Sequence, residues 1–235
     1  MKEYIEQLKA MPLFTGLDSA ALEEVRQAAQ VVERKKSGFF FRQGELAKKT
    51  FALISGRVKI TQINDQGQQV FIRVISPGEI FALVATKGDT RYPVSAQAER
   101  SGVALAWEAR DLLTLMNKHP KIAINGLQIL SSRVQELQDR FRELATERVE
   151  QRLARILLRL AGKMGSKQAS GILLDLLLSR QDLAEMTGTT LFTVSRILNQ
   201  WQTLGFLEIG RQRVLIRNPH RLLLISETPV ETSDK

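Results

Sequence analysis

The chain has 235 residues, more than one ordinary domain requires, and its 43% hydrophobic and 25% charged content is that of a globular protein with real cores. It contains no cysteine, which excludes a disulfide framework, a thiolate zinc site, a cysteine-ligated iron–sulfur cluster and a cysteine nucleophile. The net charge of +9 is uneven: residues 1–146 carry +5, residues 147–221 carry +6 in about half that length, and residues 222–235 carry −2. A basic C-terminal half suits a polyanion, because each neutralised phosphate releases condensed counterions; an ordinary solvated surface is the alternative.

The opening residues, Met1 to Glu6, lack the apolar core of a signal peptide. Residues 4–30 carry short helical patterns, with Asp18 or Ser19 as cap for Ala20–Ala29, where Leu22, Val25 and Ala29 recur at helical spacing. From Val31 the period changes to two. Runs at Val31–Glu33, Phe39–Phe41, Phe51–Ile54, Val58–Ile63, Val70–Ile75, Val94–Ala98 and Val103–Trp107 are punctuated by Gly44, Gly56, Gly67 and Gly78. Many short strands with turn residues between them predict a small antiparallel β-roll or jelly roll over residues 1–108, a shape whose interior can hold a small ligand.

Helical patterning returns at Ala109. Leu127, Leu130, Val134, Leu137, Phe141 and Leu144 repeat at spacings of three and four, flanked by polar residues. So narrow a stripe is the seam of a two-stranded dimer rather than the wider face a helix buries in a globular core; a helix lying on the β-roll is the alternative. Residues 109–146 are therefore expected to be the dimerisation helix, ending at a hinge, Thr146-Glu147-Arg148. Beyond it Val149, Leu153, Ile156, Leu157, Leu160 and Ala161 make a wide apolar face, and Gly162–Gly171 is expected to be a polar loop. The most apolar stretch, Ile172–Leu178, contains Asp175 and is far too short to cross a bilayer, so the expected setting is the cytoplasm with no membrane partner.

Residues 179–202 carry the functional signal. Ser179 caps a short helix containing Leu183, Ala184 and Met186, and Gly188 supplies a tight turn. Thr190 then caps a second helix whose Val194, Ile197, Leu198 and Trp201 face inward. This is a helix-turn-helix, whose second helix enters a major groove. Arg196 is the expected base reader, its planar fork matching guanine O6 and N7; a phosphate contact or an internal ion pair are the alternatives. Gly205–Ile216 reads as a β-hairpin wing with Arg211 and Arg213 directed at phosphates. The expected DNA-binding set is Ser179, Arg180, Gln181, Thr190, Leu191, Phe192, Thr193, Ser195, Arg196, Asn199, Arg211 and Arg213. The winged domain is placed at residues 147–221 and a C-terminal tail at 222–235, giving an α+β protein overall.

Over residues 10–220 the chain resembles the CRP/FNR family of transcription regulators. The resemblance is carried by Arg42-Gln43-Gly44-Glu45, by Leu53 to Lys59, by Pro77-Gly78-Glu79 and by Thr193-Val194-Ser195-Arg196. It implies a cyclic-nucleotide-binding-like β-roll and a homodimer on palindromic double-stranded DNA. It further implies an effector that rotates the DNA-binding domains and, for an activator, contact with RNA polymerase. The effector pocket it implies is Phe81, Ala82, Leu83, Arg91, Tyr92, Ser95 and Gln138.

Departures from the family pattern bear on the effector. Cyclic-nucleotide binders carry Gly-Glu where Ala82-Leu83 stand, and an Arg for the cyclic phosphate where Tyr92 stands; Leu137 and Gln138 replace the hydroxyl residues that touch the base. A buried phosphate without its cation is costly, which disfavours cyclic AMP unless Arg91 substitutes through a register shift. Tyr92 to Ala98 resembles the denitrification-regulator branch, whose sensing involves haem, yet the two histidines, His119 and His220, fall outside the strand region. The family's recognition-helix Glu is Phe192 here and an earlier Arg is Leu191, which predicts an altered operator with a thymine methyl beside the guanine. Two other classes remain open: a ligand-binding subunit acting through protein contacts, and, weakest, an enzyme, since no phosphate loop, metal-spaced carboxylate set or nucleophile–base pair is present.

Overall fold

The structure is a computed structural model and describes residues 4–67, 69–84, 90–174, 179–210 and 213–227. The chain divides into two compact units, Met1–Gln135 and Glu136–Lys235.

The first unit opens with a short helix, α1 (Ile5–Ala10), a single 3-10 turn at Pro12–Phe14, and α2 (Ser19–Gln27). Asp18 is the cap of α2, its Oδ1 accepting from the Ala21 N–H at 2.8 Å, which satisfies one of the donors a helix start leaves open. Six strands follow: β1 (Gln30–Arg34), β2 (Phe39–Phe41), β3 (Lys49–Ile63), β4 (Gln69–Ile75), β5 (Ile80–Phe81) and β6 (Ser95–Glu108). The sheet runs β1-β6-β3-β4, with β2 also on β6 and β5 on β3, all antiparallel.

Four of the expected short strands are two long ones. Phe51–Ile54 and Val58–Ile63 belong to β3, and Val94–Ala98 and Val103–Trp107 fall almost wholly in β6; the two strands pair along nearly their whole length, with register shifts between Leu53 and Val58. Gly56, at φ 88°, sits against Gly102 so tightly that a Cβ on Gly56 would lie 2.6 Å from the Gly102 Cα. The glycine pair thus allows one ribbon to bend where two strands with a loop were expected. The short β5 had no counterpart in the sequence pattern.

The roll is filled by aromatic rings. Phe41 stacks on Tyr92 with centroids 3.9 Å apart, Phe51 and Phe81 lie 5.8 and 6.2 Å from Phe41, and Phe40, Phe51 and Phe81 are 5.1 to 5.7 Å from one another. A second core under the helices holds Leu8, Met11, Phe14, Leu112 and Ile122, centred on Trp107, whose indole N–H donates to the Val25 carbonyl at 2.8 Å. Helix α3 (Ala109–Lys118) stops at His119, which adopts φ −124°, ψ 79°, as a residue ahead of proline must avoid helical angles. Pro120 then begins α4 (Pro120–Thr146), within which the division between the two units falls. Asn125 ties the first turns of α4 to the 3-10 turn, donating to the carbonyls of Leu13 and Thr15 at 3.0 Å each.

The second unit continues from the end of α4 into α5 (Val149–Met164), β7 (Ser166–Gln168), β8 (Gly171–Leu174), α6 (Arg180–Thr187), α7 (Leu191–Thr203), β9 (Leu207–Gly210), β10 (Arg213–Ile216) and α8 (Pro219–Glu227). Its core joins Leu153, Ile156, Leu157 and Leu160 of α5 to Val194, Ile197, Leu198 and Trp201 of α7, as the periodicity predicts. Gly162–Gly171 is not simply a polar loop. Most of it forms the last turn of α5 and the hairpin β7–β8, whose second strand pairs with β10 to give a four-stranded sheet, β7-β8-β10-β9. Polar side chains do not prevent pairing here, because the backbone bonds and the burial of Leu174 come from the strand that follows. Residues 222–227, expected in a tail, are the body of α8, with Leu222 fully buried.

Candidate nucleic-acid interface and ligand cavity

Helices α6 and α7 form the helix-turn-helix. Ser179 caps α6 by a reciprocal pair: its Oγ accepts from the Asp182 N–H at 3.1 Å, while the Asp182 carboxylate accepts from the Ser179 N–H at 2.8 Å. Gly188, at φ 62°, makes the turn, and Thr190 caps α7 through the Thr193 N–H at 3.2 Å. Buried Val194, Ile197, Leu198 and Trp201 define one side of α7. At 100° per residue the opposite side is Phe192, Ser195, Arg196 and Asn199, spaced i, i+3, i+4, i+7 in a single stripe, with Leu191 and Thr193 flanking it.

That stripe is open. Phe192 is 77% exposed and Leu191 46%, unusual for large apolar groups with no packing partner to account for them. Arg180 of α6 reaches across, its Nη2 donating to the Asn199 Oδ1 at 3.2 Å, so the two expected contacts are one polar unit. Gln181 lies exposed beside them, hydrogen-bonded to Glu185 at 3.2 Å. The Arg196 guanidinium lies 3.7 Å from a Glu150 oxygen, both side chains largely exposed. An ion pair that loose and wet contributes little and leaves the fork available. Three other expected contacts are committed locally: the hydroxyls of Ser179, Thr190 and Thr193 serve the helix caps. Arg213 opens β10 at the wing's edge, lying across Gly210, while Arg211 lies outside the described residues.

The segment around Thr146-Glu147-Arg148 breaks the helix but is firmly held within its own unit. The carboxylate of Glu143, 6% exposed, accepts from Arg159 Nη1 and Nη2 at 2.8 and 2.9 Å. Glu147 receives Arg155 Nε at 3.0 and 3.1 Å, and Arg155 also donates to the Ser226 carbonyl of α8. Arg152 donates to the carbonyls of Glu147 and Thr187. Two acids at i, i+4 facing two arginines at i, i+4 was the pattern that would have revealed this clamp.

On α4 the six seam residues are all exposed, from 50% for Leu130 to 76% for Phe141. Leu144 also lies over the helix-turn-helix turn, where a Cβ on Gly188 would come 2.9 Å from it.

In the first unit a cavity of about 260 Å³ lies between the β-roll and α4. Of the expected pocket, Phe81, Ala82, Leu83 and Tyr92 line it. Arg91, Ser95 and Gln138 do not. Arg91 donates to the Gly44 carbonyl at 2.6 Å from an exposed position; Ser95 accepts the Gln43 N–H; Gln138 lies exposed in the other compact unit. The Tyr92 hydroxyl donates to the Lys49 carbonyl at 2.8 Å and accepts the Lys49 N–H at 3.0 Å, and burial pushes its pKa up. It is a neutral, fully engaged group. Ala82 holds φ 64°, a left-handed conformation that favours glycine.

Arg73 and Arg133, not among the expected pocket residues, also line the cavity. Both meet Glu79: Arg133 Nη2 at 3.0 Å and Arg73 Nη1 at 3.4 Å share its Oε1, while its Oε2 accepts the Ser76 N–H at 2.8 Å. Arg133 falls just off the heptad seam, so its place between solvent and pocket was visible only once α4 was seated.

A β-roll with an internal cavity, a long helix with an open apolar stripe and a C-terminal winged helix-turn-helix together build a DNA-binding transcription regulator. Residues 31–119 match the model of the cyclic nucleotide-binding domain, and residues 151–225 that of the Crp-like helix-turn-helix domain. The chain is 29% identical to the cyclic AMP receptor protein of Thermus thermophilus, across 89% of this chain and 94% of that one. It is 26% identical to the global nitrogen regulator of a Synechocystis species, across 88% and 92%. Its fold superposes on FixK2 from Bradyrhizobium japonicum with a TM-score of 0.75 at 21% identity, covering 86% of this chain and 99% of that one. The chain belongs to the CRP/FNR family of transcription regulators.

Proposed function

We propose that the protein acts as a homodimer, joined along α4, that places two copies of α7 in successive major grooves of a two-fold symmetric operator. The exposed Phe192–Ser195–Arg196–Asn199 stripe, opposite the buried face of α7, carries this reading. Arg196 reads a guanine, and Phe192 replaces a carboxylate's contact with cytosine N4 by an apolar contact to a thymine methyl. Arg180, Gln181 and Arg213, joined by Arg211, hold phosphates and fix register; Ser179, Thr190 and Thr193 contribute by shaping the two helix starts.

The β-roll cavity receives the effector, and cyclic AMP, for which the Thermus relative is named, does not suit it. The residue at the phosphate position is the engaged, neutral Tyr92. Haem does not fit either: His119 Nε2 lies 2.9 Å from Glu24, His220 is an exposed residue of α8, and neither lines the cavity. The regulator works in the cytoplasm by binding rather than catalysis, and as an activator it would touch RNA polymerase. Among the described residues no helix is long and apolar enough to cross a membrane.

Selection of binding sites from random duplex DNA tests the reading. A palindrome with guanine and an adjacent thymine in each half-site is expected, shifting at the thymine for Phe192→Glu. A standard family palindrome, unchanged by Phe192→Glu, would overturn the assignment of Phe192.

A further inference from the structure

Residues 136–146 of α4 belong to the same compact unit as the helix-turn-helix, and they carry the end of the seam: Leu137, Phe141 and Leu144. Leu144 has a second neighbour besides the partner helix that the seam implies. It is 51% exposed in the single chain, and its Cδ2 also lies against Gly188, 2.9 Å from where a Cβ would stand. Gly188, at φ 62°, is where the chain turns from α6 towards the Thr190 cap of α7. A second tie reaches the same turn. Arg152 of α5, half-buried, donates from Nε to the Thr187 carbonyl at 2.9 Å and from Nη1 to the Glu147 carbonyl. Thr187 ends α6, and Glu147 directly follows the last residue of α4. Carbonyls at helix C-termini lack an intrahelical donor and carry the negative end of the helix dipole, so one guanidinium serves both ends. Its N–H groups lie in one plane at fixed spacing, which sets the two helix ends relative to each other.

We propose that Leu144 and Arg152 are positioning residues for α7, through which the state of the seam sets the helix-turn-helix turn. A partner subunit that buries Leu144 restricts its rotamers and holds it on Gly188. Dimer formation then orders the turn as well as pairing two readers. Without Leu144 the turn samples arrangements in which α7 does not present Arg196 in register, and operator affinity falls with the competent fraction. Both residues act through the turn rather than by touching DNA. Phosphate contacts depend on charge more than on base register, so non-specific binding is spared. This inference rests on α4 being the dimer seam and α7 the DNA reader.

Anisotropy of the full chain on a selected operator and on a scrambled duplex tests it, with sedimentation of the same samples reporting the dimer. Leu144→Ala, even where fully dimeric, should bind the operator roughly tenfold more weakly and the scrambled duplex within about twofold of the unaltered protein. Leu137→Ala, one heptad earlier in the seam, should weaken dimerisation and operator binding together, and raising its concentration should restore the operator affinity. Arg152→Gln should lose operator affinity on the scale of Leu144→Ala. Arg152→Lys should regain part of it, as a cation without the planar fork. Amide exchange reads the turn itself. The Thr189 N–H, which donates across the turn to the Ala184 carbonyl at 3.0 Å, should exchange about tenfold faster in dimeric Leu144→Ala than in the unaltered dimer. Full recovery of operator affinity by dimeric Leu144→Ala, equal losses on both duplexes, or Thr189 exchange indifferent to Leu144 would overturn the proposal. If Arg152→Gln does not fold, the half-exposed Leu144 still decides it. A protein that dimerises but binds no duplex overturns the regulator reading, while Thr189 exchange still shows whether Leu144 holds the turn. A protein that stays monomeric overturns the seam and this proposal with it.

Discussion

Phe141→Ala is the sharpest probe of the α4 seam. Phe141 is 76% exposed in the single chain, so almost all its apolar surface is available to a partner and little of it supports its own fold. A phenylalanine buries on the order of 150–250 Å². Three quarters of that, at about 25 cal/mol per Å² and less the part an alanine retains, comes to roughly 2 kcal/mol per side chain. A two-fold symmetric seam uses the residue twice, so dimerisation should weaken by about 4 kcal/mol, or roughly a thousandfold in Kd. Sedimentation over a wide concentration range measures the dissociation constant, and urea unfolding of the monomer measures the cost within one chain. The dimer should dissociate at concentrations where the unaltered protein stays intact, with monomer stability nearly unchanged. A dimer as tight as before, or a concentration-independent loss of stability, would refute the seam and place Phe141 in an intramolecular contact.

Three further substitutions probe separate parts of the account. Arg196→Ala should cost about 1–3 kcal/mol in specific binding and relax preference at one base pair, read by competition against single-base operator variants. Glu143→Gln, which breaks the two-pronged bond from Arg159, should lower urea stability by roughly 1–3 kcal/mol, less than a fully buried pair because Arg159 is 39% exposed; Arg159→Met added to it should restore part of the loss. Glu24 is held below its ordinary pKa first by the hydrogen bond from Lys118 and then by that from His119. A depressed carboxylate stabilises the fold above its unfolded pKa and ceases to do so as pH falls through its folded one. The stability gap between the protein and Glu24→Gln should therefore be present at neutral pH and close towards acid; a gap that widens on acidification would contradict the assignment.

Much of this architecture was legible in the residues, and the failures have particular causes. The α7 face, its Thr190 cap and the Gly188 turn followed from a 3.6-residue period and from one glycine that must adopt positive φ. Strand count did not follow, because the sequence marks Gly56 as an interruption whereas the fold packs it against Gly102 to bring two backbones together. The hairpin β7–β8 was invisible because its first strand is wholly exposed and its pairing is a backbone property. For the cavity, residues near Tyr92 were found from the family pattern, but Arg73 and Arg133 belong to distant segments that only tertiary packing brings together. Arg91, adjacent in sequence, faces the Gly44 carbonyl instead, held there by a hydrogen bond outside any strand. The clamp of Glu143 and Glu147 on Arg159 and Arg155 likewise shows that a helix break with polar residues is not by itself a loose joint.

The central claim is sequence-specific duplex binding through α7 and the wing, and its most direct test is equilibrium anisotropy with a selected operator over a range of salt. Neutralised phosphates release counterions, so log K should fall linearly with log salt at about −0.9 per phosphate contacted. The selected site should remain at least roughly a thousandfold tighter than a scrambled duplex. Arg213→Ala should flatten the slope by about one while preserving preference between sequences. Binding that is insensitive to salt, or equal for selected and scrambled duplexes, would contradict the account.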